Sequence, residues 1–212
     1  GFDRPNLHFA VQRTRDKDRS LLEFLRKHDK QCGVIYCATR SKVESVTQQL
    51  QRHGFKALRY HAGLTPEERR NNQNAFVGGL VPLIVATNAF GMGIDKADVR
   101  FVVHYNMPKD VESYYQEAGR AGRDGLESEC LLLYDKADIA VNTYLIGHDQ
   151  PDLAWKAHEM ELLQKMTFYC NTSGCLRRVL LEYFGEKAPA KCNHCGNCDA
   201  NKNASWRRFL DL

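Results

Sequence analysis

The sequence predicts an α/β fold: a mostly parallel sheet covered by helices on both faces, followed by a small helical unit that carries clustered cysteines. Three observations predict it. Short apolar runs of strand length, such as Gly33–Cys37, Leu83–Ala86 and Phe101–His104, alternate with longer segments of helical spacing, the order that parallel sheets require. Capping and turn residues punctuate these segments. Beyond His148–Asp152 the strand pattern stops, and Cys192, Cys195 and Cys198 fall within one short Gly/Asn-rich stretch.

In chain order, Gly1–Asn6 is polar and reads as a linker or domain edge, and the weak alternation of Leu7–Gln12 predicts a first strand. Leu21, Phe24, Leu25 and His28 recur at helical spacing behind Asp16 and Asp18, both capping-type residues. Gly33–Cys37 is a buried-type strand. Ser41-Lys42-Val43-Glu44 reads as a capping box that opens a helix with Val43, Val46 and Leu50 on one face, ended by Gly54. Lys56–Tyr60 predicts the next strand. Thr65-Pro66-Glu67-Glu68 is a second capping box with proline at the first helical position, and its helix runs to about Val77 before Gly78-Gly79. Strands Leu83–Ala86 and Phe101–His104 follow. Val111, Tyr114, Tyr115 and Ala118 then fall at i, i+3, i+4 and i+7 and predict the helix Val111–Ala118. Cys130–Tyr134 is a further strand and Asp135–Ile146 a further helix. The sheet domain is expected over residues 1–150, and the helical unit with a polar tail over 151–212. That unit holds one helix with Leu162, Leu163, Met166, Tyr169 and Cys170. A second carries Leu176, Val179, Leu180, Tyr183 and Phe184.

Length and charge bound the function. The 212 residues have room for one full α/β domain and a small appendage. A net charge of +4 permits a nucleic-acid partner without demanding one. No apolar run approaches the roughly 18 residues of a membrane span, and no signal-peptide pattern opens the chain, so no membrane partner is expected.

Eight cysteines exceed what packing needs, and four lie near the C-terminal end. Cys175, Cys192, Cys195 and Cys198 have the spacing C-x16-C-x2-C-x2-C. A C-x2-C turn brings two sulfurs to one ion, and Zn²⁺ takes four thiolates in a tetrahedron. His194 is an alternative ligand, and Cys170 competes with Cys175 for the distant place. With no open coordination position, such a zinc is structural. Cys32, Cys37 and Cys130 lie in or beside apolar strands and read as small core residues.

The stretch from Leu83 to Gly125 carries the other chemistry. A polar turn, Thr87-Asn88, follows one apolar strand, and a Gly-broken loop ends in Asp95. Arg120 and Arg123, three apart between glycines, follow the helix after the second strand. Polar and Gly-rich segments after strand C-termini are where open α/β sheets place a ligand crevice. Guanidinium groups there suit phosphate, since they stay charged and present forked donors. A surface salt-bridge pair with Glu117, Asp124 or Glu127 is the alternative for both arginines.

Several segments resemble a known family. Ala89-Phe90-Gly91-Met92-Gly93-Ile94-Asp95 and Gln116-Glu117-Ala118-Gly119-Arg120-Ala121-Gly122-Arg123-Asp124-Gly125 resemble motifs V and VI of superfamily 2 helicases of the RecQ DNA helicase family. Tyr36-Cys37-Ala38-Thr39-Arg40 resembles its motif IV, and Tyr60-His61-Ala62-Gly63-Leu64 a further family segment. Cys175-Leu176-Arg177-Arg178-Val179-Leu180-Leu181-Glu182-Tyr183-Phe184-Gly185-Glu186 ahead of the cysteine triplet is similar to its zinc-binding subdomain, and it favours Cys175 as the fourth ligand. Phe2-Asp3-Arg4-Pro5-Asn6 looks like the junction between the family's two RecA-like domains.

The resemblance implies a second RecA-like motor domain plus a zinc subdomain, within a 3′-to-5′ DNA helicase of repair and recombination. Arg123 would be the arginine finger, and Arg120 a second phosphate contact. Gln116 would couple, and Gly93 and Asp95 would lie on the nucleotide side of the cleft. Thr39, Arg40, Thr87 and Asn88 would hold single-stranded DNA, although capping and turn chemistry accounts equally for Thr39 and Asn88. His61 could touch nucleic acid or be structural. Arg177 and Arg178 would form a basic face or simply be solvated. No G-x-x-x-x-G-K-[ST] loop or DEAH-like acidic box occurs in the sequence. ATP and Mg²⁺ are therefore expected only together with a first RecA-like domain, and the isolated chain is expected to be inactive. The opening GFDRPN suggests that the chain begins where that domain ends. Single-stranded DNA and duplex junctions are the expected partners, in the cytoplasm or nucleoid of a bacterium or the nucleus of a eukaryote. The alternative function is a non-enzymatic, zinc-bearing DNA-binding or scaffold module. An RNA helicase half of the DEAD-box kind is a weaker third reading, which the zinc cluster disfavours.

Overall fold

The computed structural model describes residues 1–90, 94–149 and 152–210. Its strands and helices run β1 (Leu7–Arg13), α1 (Lys17–Lys27), β2 (Gly33–Tyr36), α2 (Arg40–Arg52), β3 (Ala57–Tyr60), α3 (Pro66–Val77), β4 (Leu83–Ala86), β5 (Phe101–His104), α4 (Val111–Ala118), β6 (Ser128–Tyr134), α5 (Ala137–Asp149), α6 (Leu153–Asn171), α7 (Leu176–Tyr183) and α8 (Gly196–Leu210). The six strands form one sheet in the order β1-β6-β5-β2-β4-β3, with every pair parallel. Every residue of β2, β4 and β5 is buried, as apolar runs in a doubly covered parallel sheet must be.

Strand alternation divides the core into two layers. Val34, Ile84 and Val102 pack on one face with residues of α3, α4, α6 and α7, and Ile35, Val85 and Val103 pack on the other with α1 and α2. Gly33 is glycine for contact rather than flexibility: a Cβ there would lie 2.0 Å from the Phe101 ring of the neighbouring strand. The chain crosses from β4 over β2 to β5. The loops after β2, β4 and β5 thus gather at a switch in strand order, where open α/β sheets leave a crevice.

Two sequence expectations need correction, and a third is narrowed. The capping box at Ser41 does not start α2. Thr39 is extended (φ −132°, ψ 156°) and its side chain accepts from the Lys42 amide at 3.1 Å, so the helix opens earlier. Glu44 is instead taken by Arg59 and His61. The polar tail is largely the helix α8, which begins inside the cysteine cluster, with Asp199 N bonded to Cys195 O at 3.0 Å. Gly1–Asn6, expected as a linker or domain edge, is a packed edge. Phe2 stacks on Phe184 at 4.3 Å and accepts a 2.6 Å bond from the Tyr115 hydroxyl.

The proposed boundary between 150 and 151 lies outside the described residues. The helical unit does not pack as a separate body: Leu163, Met166, Tyr169, Leu176 and Leu180 belong to the same core cluster as Leu7, Phe9 and Tyr114. The buried hydroxyls of Tyr114 and Tyr169 meet at 3.3 Å. A unit too small for its own core is stabilised by sharing one. No described helix is long and apolar enough to cross a membrane.

Candidate nucleotide face and metal centre

Arg120 and Arg123 stand on the loop that leaves α4. Gly119 caps that helix, and Gly122 takes φ +60° where a Cβ would meet Asn6 Nδ2 at 2.5 Å and Ser128 Oγ at 2.7 Å, so the turn demands glycine. Gly122 N and Asp124 N bond to the carbonyls of Val99 and Ala97, which lace this loop to the segment before β5. Arg123 Nη1 donates to Ile94 O at 3.2 Å and to Asp95 Oδ1 at 3.1 Å. The structure thus brings together two of the residues singled out from the sequence. Gly93 lies outside the described residues. Gln116 is exposed on α4.

The alternative salt-bridge partners for the two arginines are occupied elsewhere. Asp124 pairs with Arg100, Glu117 contacts His104, and Glu127 faces His194. The Arg100 guanidinium holds the Asp124 carboxyl below its ordinary pKa. Arg120 Nε is buried and has no partner among the described residues. A buried donor left unpaired costs about 1–3 kcal/mol. The neighbouring Tyr36 phenol is raised above its usual pKa, first by burial and then by the Glu117 charge, against the opposing pull of Arg120 and Arg123.

The four candidate nucleic-acid residues lie at strand C-termini, as expected. Thr39 and exposed Arg40 follow β2, and buried Thr87 and exposed Asn88 follow β4. Thr39 is the α2 cap, and Thr87 Oγ1 accepts weakly from the Ala89 amide at 3.4 Å. Asn88 lines an open hollow with His104, Asn106, Lys109, Trp155 and Glu159. Asn106, which the sequence did not single out, is fixed on both sides: its Oδ1 accepts from Ala38 N at 2.9 Å and its Nδ2 donates to Asp138 at 3.1 Å. His61 is structural, being buried with Nε2 2.7 Å from Glu44 and Nδ1 bonded to Gly63 N.

The sulfur atoms of Cys175, Cys192, Cys195 and Cys198 all lie within 4.8 Å of one another. Tetrahedral Zn²⁺ with sulfur at 2.3 Å needs S···S separations of about 3.8 Å, and Cys192 and Cys198 stand 3.9 Å apart. Four backbone amides point at the sulfurs: those of Arg178 and Cys192 at Cys175, of His194 at Cys192 and of Cys198 at Cys195, over 3.3–3.5 Å. Amide donors stabilise thiolate, so the donor set fits a structural zinc ion. Burial pushes the Cys192 thiol up to about 12, so the cation must supply the energy of deprotonation. His194 is outside the cluster, with its ring 3.1 Å from Glu127 but off the hydrogen-bonding direction. Cys170 is buried in the core and takes no part. Cys37 and Cys130 are core residues as expected, whereas Cys32 is only half-buried and bonds to the Asp98 carbonyl.

Neither expectation for Arg177 holds. It is buried, lies over the Phe9 ring, and bonds to Asp3 at 3.0 Å, to Arg4 O at 2.9 Å and to Leu7 O. Arg178 is exposed and pairs with Glu182 one turn on. Sequence reasoning also passed over Arg4 and Asn6, whose side chains bind carbonyls of the arginine loop. Their partners lie more than a hundred residues away, so no local signal marked them.

Residues 16–125 match the family described as the helicase conserved C-terminal domain, and residues 136–199 that described as RecQ zinc-binding. The chain is 45% identical over 204 residues to the ATP-dependent DNA helicase RecQ of Bacillus subtilis, covering 96% of this chain and 34% of that protein. It is 42% identical to the RecQ of Pasteurella multocida over 197 residues, 93% of this chain and 31% of the other. A putative ATP-dependent RNA helicase, R290 of Acanthamoeba polyphaga mimivirus, is 39% identical over 200 residues, 93% of this chain and 36% of the other. The chain spans about a third of the length of these relatives. An all-parallel sheet, an arginine loop at its switch point, a four-cysteine centre and these matches agree: the chain belongs to the RecQ helicase family, as its conserved C-terminal helicase domain followed by its zinc-binding region.

Proposed function

We propose that this chain is the second motor domain and zinc-binding region of an ATP-dependent 3′-to-5′ DNA helicase that acts in repair and recombination. The observation that carries the reading is the arginine loop: Arg123 projects beside Asp95, and Arg120 keeps a buried Nε without a partner among the described residues. In ATP hydrolysis, water forms a bond to the γ-phosphorus as the bond to the β-phosphate oxygen breaks. The negative charge on the phosphoryl oxygens is what an arginine finger stabilises, worth about 10³–10⁵ in rate. Arg123 supplies that finger, Arg120 a second phosphate contact, and Gln116 couples the loop to the opposite domain. Asp95 contributes on the same side, and Gly93, outside the described residues, is assigned there by its place in the motif alone. The phosphate-loop lysine and the acidic residue that holds Mg²⁺ come from a first RecA-like domain, since this sequence contains neither motif.

Thr39, Arg40, Thr87 and Asn88 hold the backbone of single-stranded DNA along the strand C-termini, without reading bases. Single strands at duplex junctions are the substrate, and the location that follows is the cytoplasm or nucleoid of a bacterium or the nucleus of a eukaryote. Steady-state ATPase with single-stranded DNA tests the reading. The isolated chain should show no turnover, and the chain joined to its first RecA-like domain should hydrolyse ATP. Turnover by the isolated chain contradicts it, and absence of DNA-stimulated turnover in the joined protein favours a binding or scaffold module. Stimulation by RNA in place of DNA would move the substrate to the class that the mimiviral relative's name carries.

A further inference from the structure

Arg4 lies on neither the strand ends nor the loop assigned to the nucleotide, yet it binds that loop at three points. Its Nη1 donates to Gly119 O at 3.0 Å, and its Nη2 to Ala121 O at 3.0 Å and Gly122 O at 3.3 Å. These carbonyls flank Arg120 and immediately precede Arg123. Asn6 adds bonds from Nδ2 to Gly122 O and Leu126 O, both at 2.9 Å. The carbonyls at the end of a helix have no partners within it. Here a guanidinium fork takes the ones that follow α4, which sets the path of the backbone carrying both phosphate-directed arginines. A lysine would bring the charge but not the fork.

Arg4 is itself held from the metal side. Arg177 Nη1 takes the Arg4 carbonyl at 2.9 Å and the Asp3 carboxylate at 3.0 Å, while its Nη2 bonds to the Leu7 carbonyl. Arg177 stands two positions after Cys175, the residue that caps α7 and belongs to the metal centre. Phe2 closes the strip from the other end, stacked on Phe184 with its amide 2.7 Å from Glu186. The arginine loop is therefore braced by a segment whose own position is set by the metal-organised helix.

We propose that Arg4 is a positioning residue for phosphoryl transfer: it fixes the Arg120–Arg123 loop and links it through Arg177 to the cysteine centre. This rests on the reading of Arg123 as the finger. Arg4 touches no substrate and acts through Arg123, so its effect belongs in kcat rather than in ATP binding.

The test is a double-mutant cycle in the full-length helicase, with Arg4→Ala, Arg4→Lys, Arg123→Ala and the double variant Arg4→Ala/Arg123→Ala. Misplacing a catalytic group by about 1 Å costs up to roughly 100-fold. Arg4→Ala is expected to lower kcat by about 10- to 100-fold with KM for ATP within about twofold, and Arg4→Lys to recover little of it. Added to Arg123→Ala, it should change the residual rate by less than about twofold, because residues acting through one another are not additive. Zinc content and thermal midpoint of each variant report folding, and Arg4→Lys carries the test if Arg4→Ala does not fold. Wild-type turnover by Arg4→Ala or Arg4→Lys alongside an inactive Arg123→Ala overturns the proposal. So does an equal loss on removing Arg4 with and without Arg123. Full turnover by Arg123→Ala instead overturns the finger assignment and the proposal with it.

Discussion

Arg123 and Asp95 are joined across the nucleotide face: the arginine Nη1 donates to the aspartate Oδ1 at 3.1 Å, and the Ile94 carbonyl takes the same nitrogen at 3.2 Å. The side chains are 37% and 85% exposed, so the pair is wet and contributes about 0–1 kcal/mol. A weak bond suits the finger role proposed for Arg123, in which this partner is exchanged for phosphate. Asp95→Ala should leave the thermal midpoint within about 2 °C of wild type and lower ATP turnover by roughly tenfold, since the finger loses its guide. Calorimetry and steady-state kinetics on the full-length protein check both halves.

The cysteine centre should bind about one zinc per chain through four thiolates. Cys192→Ser should lose it and destabilise α7 and α8 with it, read by metal analysis and amide exchange. With the Cys192 thiol pushed up to about 12 by burial, protons compete with the metal. Zinc affinity should therefore fall as pH falls, read as the zinc retained per chain after dialysis at pH 5 and at pH 8 without chelator.

Adjacent arginines on α7 should behave as opposites. Arg177→Ala removes a buried cation and leaves the Leu7 carbonyl without its guanidinium donor, while the Arg4 carbonyl keeps only the Leu7 amide, a loss on the order of 1–3 kcal/mol. Arg178→Ala breaks only an exposed pair with Glu182 and should change stability by less than about 0.5 kcal/mol. Denaturant unfolding of the two variants separates them.

Glu44 gives the fold a pH dependence with a definite sign. Burial alone would raise its carboxyl, but the bonds from His61 and Arg59 outweigh this and hold its pKa below the ordinary value. A folded pKa below the unfolded one contributes stability that is complete above the unfolded value and is lost as pH falls through the folded value. Thermal midpoints of wild type and Glu44→Gln should therefore differ most near neutrality and converge under acid conditions. A gap that widens on acidification contradicts this role.

What the sequence displayed depended on how local the cause was. The bounds of β4, β5 and α4 match their expected spans, because each is set by its own apolar run or by a cap at its own end. The cysteine centre was legible because the C-x2-C spacing itself is a geometry. Helix α8 was missed because Asn, Lys and Arg leave it no apolar stripe, and it is anchored instead by its first turn, where Asn197 bonds to the carbonyls of Thr172 and Gly174. The start of α2 was misplaced because two neighbouring residues could cap, and Glu44 found stronger partners on β3 and the turn after it. The burial of Arg177 and the packing of Gly1–Asn6 were not legible because their contacts bridge the two ends of the chain, which no window on the sequence contains.

As proposed above, this chain presents an arginine finger to a nucleotide held mainly by another domain. Single-turnover hydrolysis of ATP by the full-length Arg123→Ala helicase, with ATP binding measured on the same preparation, tests it most directly. Near-normal binding and a rate reduced by about 10³–10⁵ are expected. A rate within a few-fold of wild type would contradict the finger assignment.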